Sequence, residues 1–210
     1  MATPLRIVTG FWGDKYPPEY VEALKNQVRD CGYPLTVLGV DRPLQTGMKS
    51  WWPKLELFAP WNQELLPALF IDLDTFILDW NILIEIEENL ELDRLWLIND
   101  FNRPHLGESG LFLAPNNEVS AGIWRSVERN KHNSFRGDGP FLNSFTHSRM
   151  NEHIDGILSY KVNMLQDTPD DARICCFHGK PKPHEAEGWA KNFWTTQISQ
   201  WRKSEAYSHR

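Results

Sequence analysis

Short apolar runs of strand length alternate with segments of helical spacing along most of this chain. Residues 5–9 form the first run, closed by Gly10. Pro17 and Pro18 then open a segment whose apolar positions Tyr20, Val21, Leu24 and Val28 follow helical spacing, and Gly32 stops it. Residues 35–40 read as a second strand and residues 53–58 as a helical segment. Ala68-Leu69-Phe70-Ile71 is an apolar strand that runs directly into Asp72-Leu73-Asp74. Further strands are expected at 95–98, 110–113 and 173–177, with helices at 119–129 and 140–145. Such alternation predicts an α/β sandwich around a largely parallel sheet. In folds of that kind ligands sit beyond the carboxyl ends of the strands.

The chain has 210 residues, 41% of them hydrophobic and 24% charged, which suits one domain with a core of its own. We read it as a single domain with a nucleotide-binding half over about 1–75. A catalytic and acceptor half follows over about 76–185, and a helical tail over 186–210. The formal net charge of −6 argues against a partner gathered by bulk attraction to a polyanion. The longest apolar run, residues 65–71, contains Pro67 and falls far short of the roughly 20 residues that span a bilayer, so no transmembrane segment is expected. The first residues show no secretory leader pattern. Of three cysteines, Cys175 and Cys176 are adjacent, a poor disulfide framework that suggests reduced thiols and a cytoplasmic protein.

Two places carry chemistry. Asp72 and Asp74 stand two apart, so on an extended strand both point to one side. Two carboxylates at the end of an apolar strand are unfavourable unless a positive group lies between them. Hard oxygen ligands suit Mg²⁺ or Mn²⁺, which keeps positions open for water and phosphate. Neutralising Asp74 alone is therefore expected to leave folding intact. The second place is Cys176-Phe177-His178-Gly179-Lys180-Pro181-Lys182-Pro183. Here a strand delivers a His, Gly179 lets backbone approach closely, and two lysines stand in a proline-stiffened loop. An imidazole can complete a metal site, and an ammonium is a point charge for a diphosphate.

These motifs, taken in order, resemble glycosyltransferases of family eight, the GT-A-fold group that includes glycogenin and the bacterial lipooligosaccharide galactosyltransferases. Pro53-Lys54-Leu55 is similar to the family's Thr-Lys-Leu, and Phe70-Ile71-Asp72-Leu73-Asp74-Thr75 to its metal-binding Asp-x-Asp strand. Glu108-Ser109-Gly110 resembles its Asn-Ser-Gly, and Asp138-Gly139-Pro140-Phe141-Leu142-Asn143 its Asp-Gln-x-x-Leu-Asn. Gly179-x-x-Lys182-Pro183 resembles its Gly-x-x-Lys-Pro. The departures are Glu108 in place of Asn and Gly139 in place of Gln. The family's metal His stands where this chain has Cys176, whereas His178 directly precedes Gly179.

The resemblance implies a GT-A-type Rossmann-like fold and transfer of a hexose from a UDP-sugar or similar nucleotide-sugar donor, with retention. Asp72, Asp74 and His178 are then expected to hold Mn²⁺ or Mg²⁺. Thr9, Tyr16, Lys54, Asp72, Gly179, Lys180 and Lys182 are expected at the donor, and Asp138 and Glu108 at the reacting sugar. The acceptor is left open between glycan, lipid, protein and modified nucleic-acid base. Of the ten tryptophans, most are expected to pack, and one or two to offer a flat face to a sugar ring. Two other classes compete: an aspartate-nucleophile phosphatase, whose motif would want Thr or Val where Phe76 stands, and a non-catalytic nucleotide- or sugar-binding module.

Overall fold

The structure is a computed structural model that describes residues 5–29 and 31–208, with side chains described to residue 200. The extreme N-terminal residues read for a leader, and the last two of the tail, lie outside the described residues. The first half supplies β1 (Arg6–Gly10), α1 (Glu19–Val28), β2 (Leu35–Leu38), a 3-10 turn (Trp52–Phe58), β3 (Ala68–Ile71), β4 (Thr75–Ile77), α2 (Asn81–Asn89) and β5 (Trp96–Asn99). β6 (Gly107–Ala114), α3 (Glu118–Glu128), α4 (Asp138–Leu142), β7 (Ser148–Arg149), β8 (Ile157–Ser159), α5 (Tyr160–Asn163), β9 (Ile174–Cys176) and α6 (Gly188–Ser208) complete it.

Six strands form the central sheet in the order β2-β1-β3-β6-β5-β7. β6 alone runs against its neighbours β3 and β5, and the pairings β1–β2, β1–β3 and β5–β7 are parallel. The expected largely parallel α/β sandwich is therefore present. β3 reads as an unbroken apolar run because both faces of the sheet are covered. Leu69 and Ile71 pack toward α1 and α2, while Ala68 and Phe70 pack toward the 3-10 turn and α3. On that second side Phe112 of β6 stacks on Phe70 at 5.0 Å and on Phe58 at 5.9 Å, which fixes the turn that carries Lys54.

One expectation is met in a variant form and two are corrected here. The expected helical segment at 53–58 is present as a 3-10 helix. The strand at 173–177 does not join the central sheet: β9 pairs with β4 and β8 in a second sheet of three strands, covered by α6 through Phe76, Phe177 and Ala190. Asp72 and Asp74 do not continue β3 as an extended strand, because the chain turns after Ile71 to enter β4. The two acids sit on that turn, between the sheets, and do not share one strand face.

α3 begins at Asn117, whose side chain accepts from the Val119 N–H at 2.9 Å and also donates to the Asp93 carbonyl. An N-cap of this kind contributes about 1 kcal/mol. Asn117→Ala should lower the urea-unfolding free energy by about that amount, and an unchanged midpoint would show that the cap does not hold α3.

Candidate functional site

A cavity of about 470 Å³ opens at the carboxyl ends of β1 and β3. Tyr16, Lys54, Asp72, Glu108 and Asp138 line it, together with Trp12, Lys15 and Trp51. The loop after β1 forms one wall. Its close approach depends on Gly10, where a Cβ would fall 1.9 Å from the Trp12 ring, and the Trp12 indole donates to the Ser50 carbonyl at 2.6 Å. Trp51 stays 46% exposed at the rim, so two tryptophans face the cavity while others, such as Trp124, are buried.

Lys54 is the electrostatic centre. Its ammonium is buried and has three acceptors for its three protons: Asp138 Oδ2 at 2.7 Å, Asp72 Oδ1 at 2.8 Å and the Ser109 carbonyl at 3.2 Å. Ser109 also donates its hydroxyl to Asp138 Oδ2 at 2.6 Å. A bulge in β6 brings these groups together. Leu97 of β5 pairs with Phe112 and Ile98 with Glu108, so residues 109–111 stand across a single step of β5. Burial, with Asp74 and Asp138 nearby, pushes Asp72 up to about 6 against the pull of Lys54. Burial acts on Asp138 in the same direction, yet Lys54 and Ser109 hold that carboxyl below its ordinary value.

Asp74 belongs to a second cluster. It is 3% exposed, and its Oδ2 accepts from the Tyr16 hydroxyl at 2.9 Å and from the Lys182 ammonium. The turn is tied to β9 by the Phe177 N–H on the Asp74 carbonyl, 3.1 Å. The Lys182 loop is held in turn. Its backbone N–H donates to Glu185, and the next residue but one, His184, hydrogen-bonds the Tyr20 hydroxyl at 2.5 Å. Burial and the Asp74 charge raise the Tyr16 phenol far above its ordinary value, so it stays a neutral donor.

The remaining expected residues lie off the cavity. Thr9 is fully buried in β1 and its hydroxyl has no hydrogen-bond partner. Gly179 provides a left-handed turn at φ 68°, and Lys180 points outward to Glu185 at 3.2 Å. His178 stacks on Phe101 at 5.4 Å between ring centroids, and its Nε2 lies 2.6 Å from the Ser159 hydroxyl. Cys176 is a buried thiol in β9. Among the described residues no three His, Cys, Asp or Glu side chains are gathered as a metal cluster.

The donor set nevertheless fits a hard cation in its chemistry. Among the described residues Asp72 Oδ2 has no hydrogen-bond partner, and Gly110 leaves room beside it, since a Cβ there would stand 3.7 Å away. Asp74, two residues on, is paired with the ammonium of Lys182. Sequence reasoning missed Lys15, whose ammonium lies 4.7 Å above the Tyr16 ring; burial and then Lys182 lower its pKa. The only signal was a basic residue in the glycine-containing loop after β1.

No protein-family model matches the chain, and no curated protein matches it. Solved structures do. The glycosyltransferase GlyE of Streptococcus pneumoniae superposes with a TM-score of 0.56 at 13% identity, over 96% of this chain and 65% of GlyE. Its apo form gives 0.57 at 12% identity, over 97% and 64%. A glycosyltransferase involved in the glycosylation of the major capsid of PBCV-1 gives 0.53 at 15% identity, over 84% of this chain and 95% of that one. This is a glycosyltransferase fold of the Rossmann-like GT-A type. The likeness does not single out family eight, and the chain spans slightly less than two thirds of GlyE.

Proposed function

We propose that the chain is a metal-dependent glycosyltransferase that moves a hexose from a UDP-sugar to an acceptor. The observation that carries this reading is the cavity at the carboxyl ends of β1 and β3, where Lys15 and Lys54 face Asp72, Asp138 and Glu108 in a fold shared with glycosyltransferases. Asp72 and Asp74 would hold Mn²⁺ or Mg²⁺, and His178 would join them only after leaving Ser159. When bound, the cation supplies charge neutralisation to the leaving diphosphate. Lys15 and Lys182 add positive charge on the same side, where negative charge develops as the sugar leaves. Lys54 acts through others: it fixes the rotamers of Asp72 and Asp138 and so presents two carboxylates at set positions. Glu108 and Asp138 stand at the sugar end. Trp51 at the rim offers its flat face to a sugar ring.

A phosphatase motif would want Thr or Val where Phe76 stands, and Phe76 is buried in the apolar cluster beside the second sheet. The test is release of UDP from UDP-glucose or UDP-galactose with Mn²⁺. Release should occur, stop with excess EDTA, and return when Mn²⁺ or Mg²⁺ is restored. Full turnover in EDTA would remove the metal from the mechanism, and no release from any nucleotide sugar would remove the transferase.

A further inference from the structure

The carboxylates around the cavity are not equivalent. Asp72 and Asp138 share the Lys54 ammonium, and Asp74 is held by Tyr16 and Lys182. Asp14 stands exposed on the loop after β1. Glu108 is the one half-buried acid of the cavity that forms no ion pair among the described residues. Its Oε1 accepts from the Ser109 N–H at 3.0 Å, and Oε2 has no hydrogen-bond partner among the described residues. The β6 bulge presents it, and Gly139 at the start of α4 faces it: a Cβ there would meet Glu108 Oε1 at 3.4 Å and Ser109 Oγ at 3.6 Å. Glycine at 139 thus keeps the space beside the carboxylate clear, where a side chain would fill it.

A carboxylate that no cation contacts, in the cavity that Lys15 and Lys54 line, is arranged to receive an electron-poor carbon. We propose that Glu108 is the catalytic nucleophile, attacking the anomeric carbon of the donor sugar to form a covalent glycosyl-enzyme ester. The proposal rests on the transferase reading and gives it a mechanism. In the first displacement a Glu108 oxygen bonds to the anomeric carbon as the carbon–oxygen bond to the diphosphate breaks, and its electron pair leaves with the diphosphate. In the second, an acceptor hydroxyl oxygen bonds to the same carbon, the ester bond returns its pair to Glu108, and the hydroxyl proton passes to a diphosphate oxygen. Each displacement inverts, so the product keeps the donor's configuration.

Burial raises the Glu108 pKa, and the Ser109 N–H works against that rise. Attack needs the ionised carboxylate, so turnover should climb with pH through this raised range and level off above it.

The experiment uses the whole chain with Mn²⁺ and 2-deoxy-2-fluoro analogues of UDP-glucose and UDP-galactose, which slow breakdown of a glycosyl ester. Peptide mass mapping should find one fluorohexosyl group on the peptide that carries Glu108. Glu108→Ala should release UDP at least ~100-fold more slowly. Added azide should restore release and yield the β-glycosyl azide from an α-linked donor. Glu108→Gln, melting at the parent temperature, should lose turnover without losing fold. The proposal is overturned if the parent releases UDP and yields α-linked product while no adduct forms and Glu108→Ala stays within tenfold of it. A β-linked product would make Glu108 a general base instead and overturn it equally. A parent that releases no UDP from either natural donor overturns the transferase reading itself, and the nucleophile with it.

Discussion

Asp74→Asn is expected to lower donor turnover by at least ~100-fold, the scale on which a principal electrostatic group is lost. The substitution keeps the size of the side chain, and its amide oxygen can still accept from the Tyr16 hydroxyl. What disappears is the charge that balances Lys182 and that would hold the cation. The pairing with Lys182 also overturns the expectation that folding would be untouched. Asp74 is buried, and neutralising it leaves a lysine of 14% side-chain exposure without its counter-charge. A loss of about 1–3 kcal/mol in unfolding free energy should accompany the loss of turnover. UDP release at saturating Mn²⁺, read beside a urea titration, separates the two effects. Activity within tenfold of the parent would mean that Asp74 holds neither cation nor diphosphate charge.

Lys54→Met should act first on stability. Methionine fits the length of the stem but leaves Asp72 and Asp138 facing one another without the ammonium between them. Removing one partner of a buried ion pair costs about 3–5 kcal/mol, because the remaining charge stays buried and unpaired. The deficit should depend on pH. Without Lys54 both carboxyl pKa values rise in the folded state, and that of Asp72 already stands near 6. A carboxyl whose folded pKa is raised favours folding below its unfolded pKa, and that contribution is lost as pH rises through the folded value. The gap between variant and parent should therefore narrow toward pH 4 and widen above pH 6. Equal unfolding midpoints at pH 8 would show that Lys54 is not the keystone of the two acids.

The pattern of residues predicted the parts of the fold that repeat it. β3 was legible because a strand buried on both faces must be apolar at every position. α1 and α3 were legible because each shows one apolar face at helical spacing. The same reasoning misplaced β9. Ile174-Cys175-Cys176 is as apolar as a central strand, and nothing local tells which sheet it joins. β4 and β8 are three residues each, too short to show a period, and they exist only because β9 lies between them.

The site divides along the same line. Asp72, Asp74 and Lys182 were marked in the sequence as charged residues after apolar strands, and Glu108 and Asp138 only by the family motifs they resemble. Their pairings were not. Lys54 meets Asp72 across 18 residues and Lys182 meets Asp74 across 108, and no spacing rule reaches that far. Thr9 shows the opposite failure. It stands near the carboxyl end of β1, yet strand alternation turns it fully into the core.

By itself, then, the sequence determined the layered α/β architecture and the charged groups after β3 and β9, because both follow from local periodicity and local polarity. Only the tertiary structure decided which carboxylate is neutralised by which lysine and left Glu108 without a cation. Those pairings follow from the β6 bulge, the turn between two sheets and a loop tethered to α1, and long-range packing sets all three.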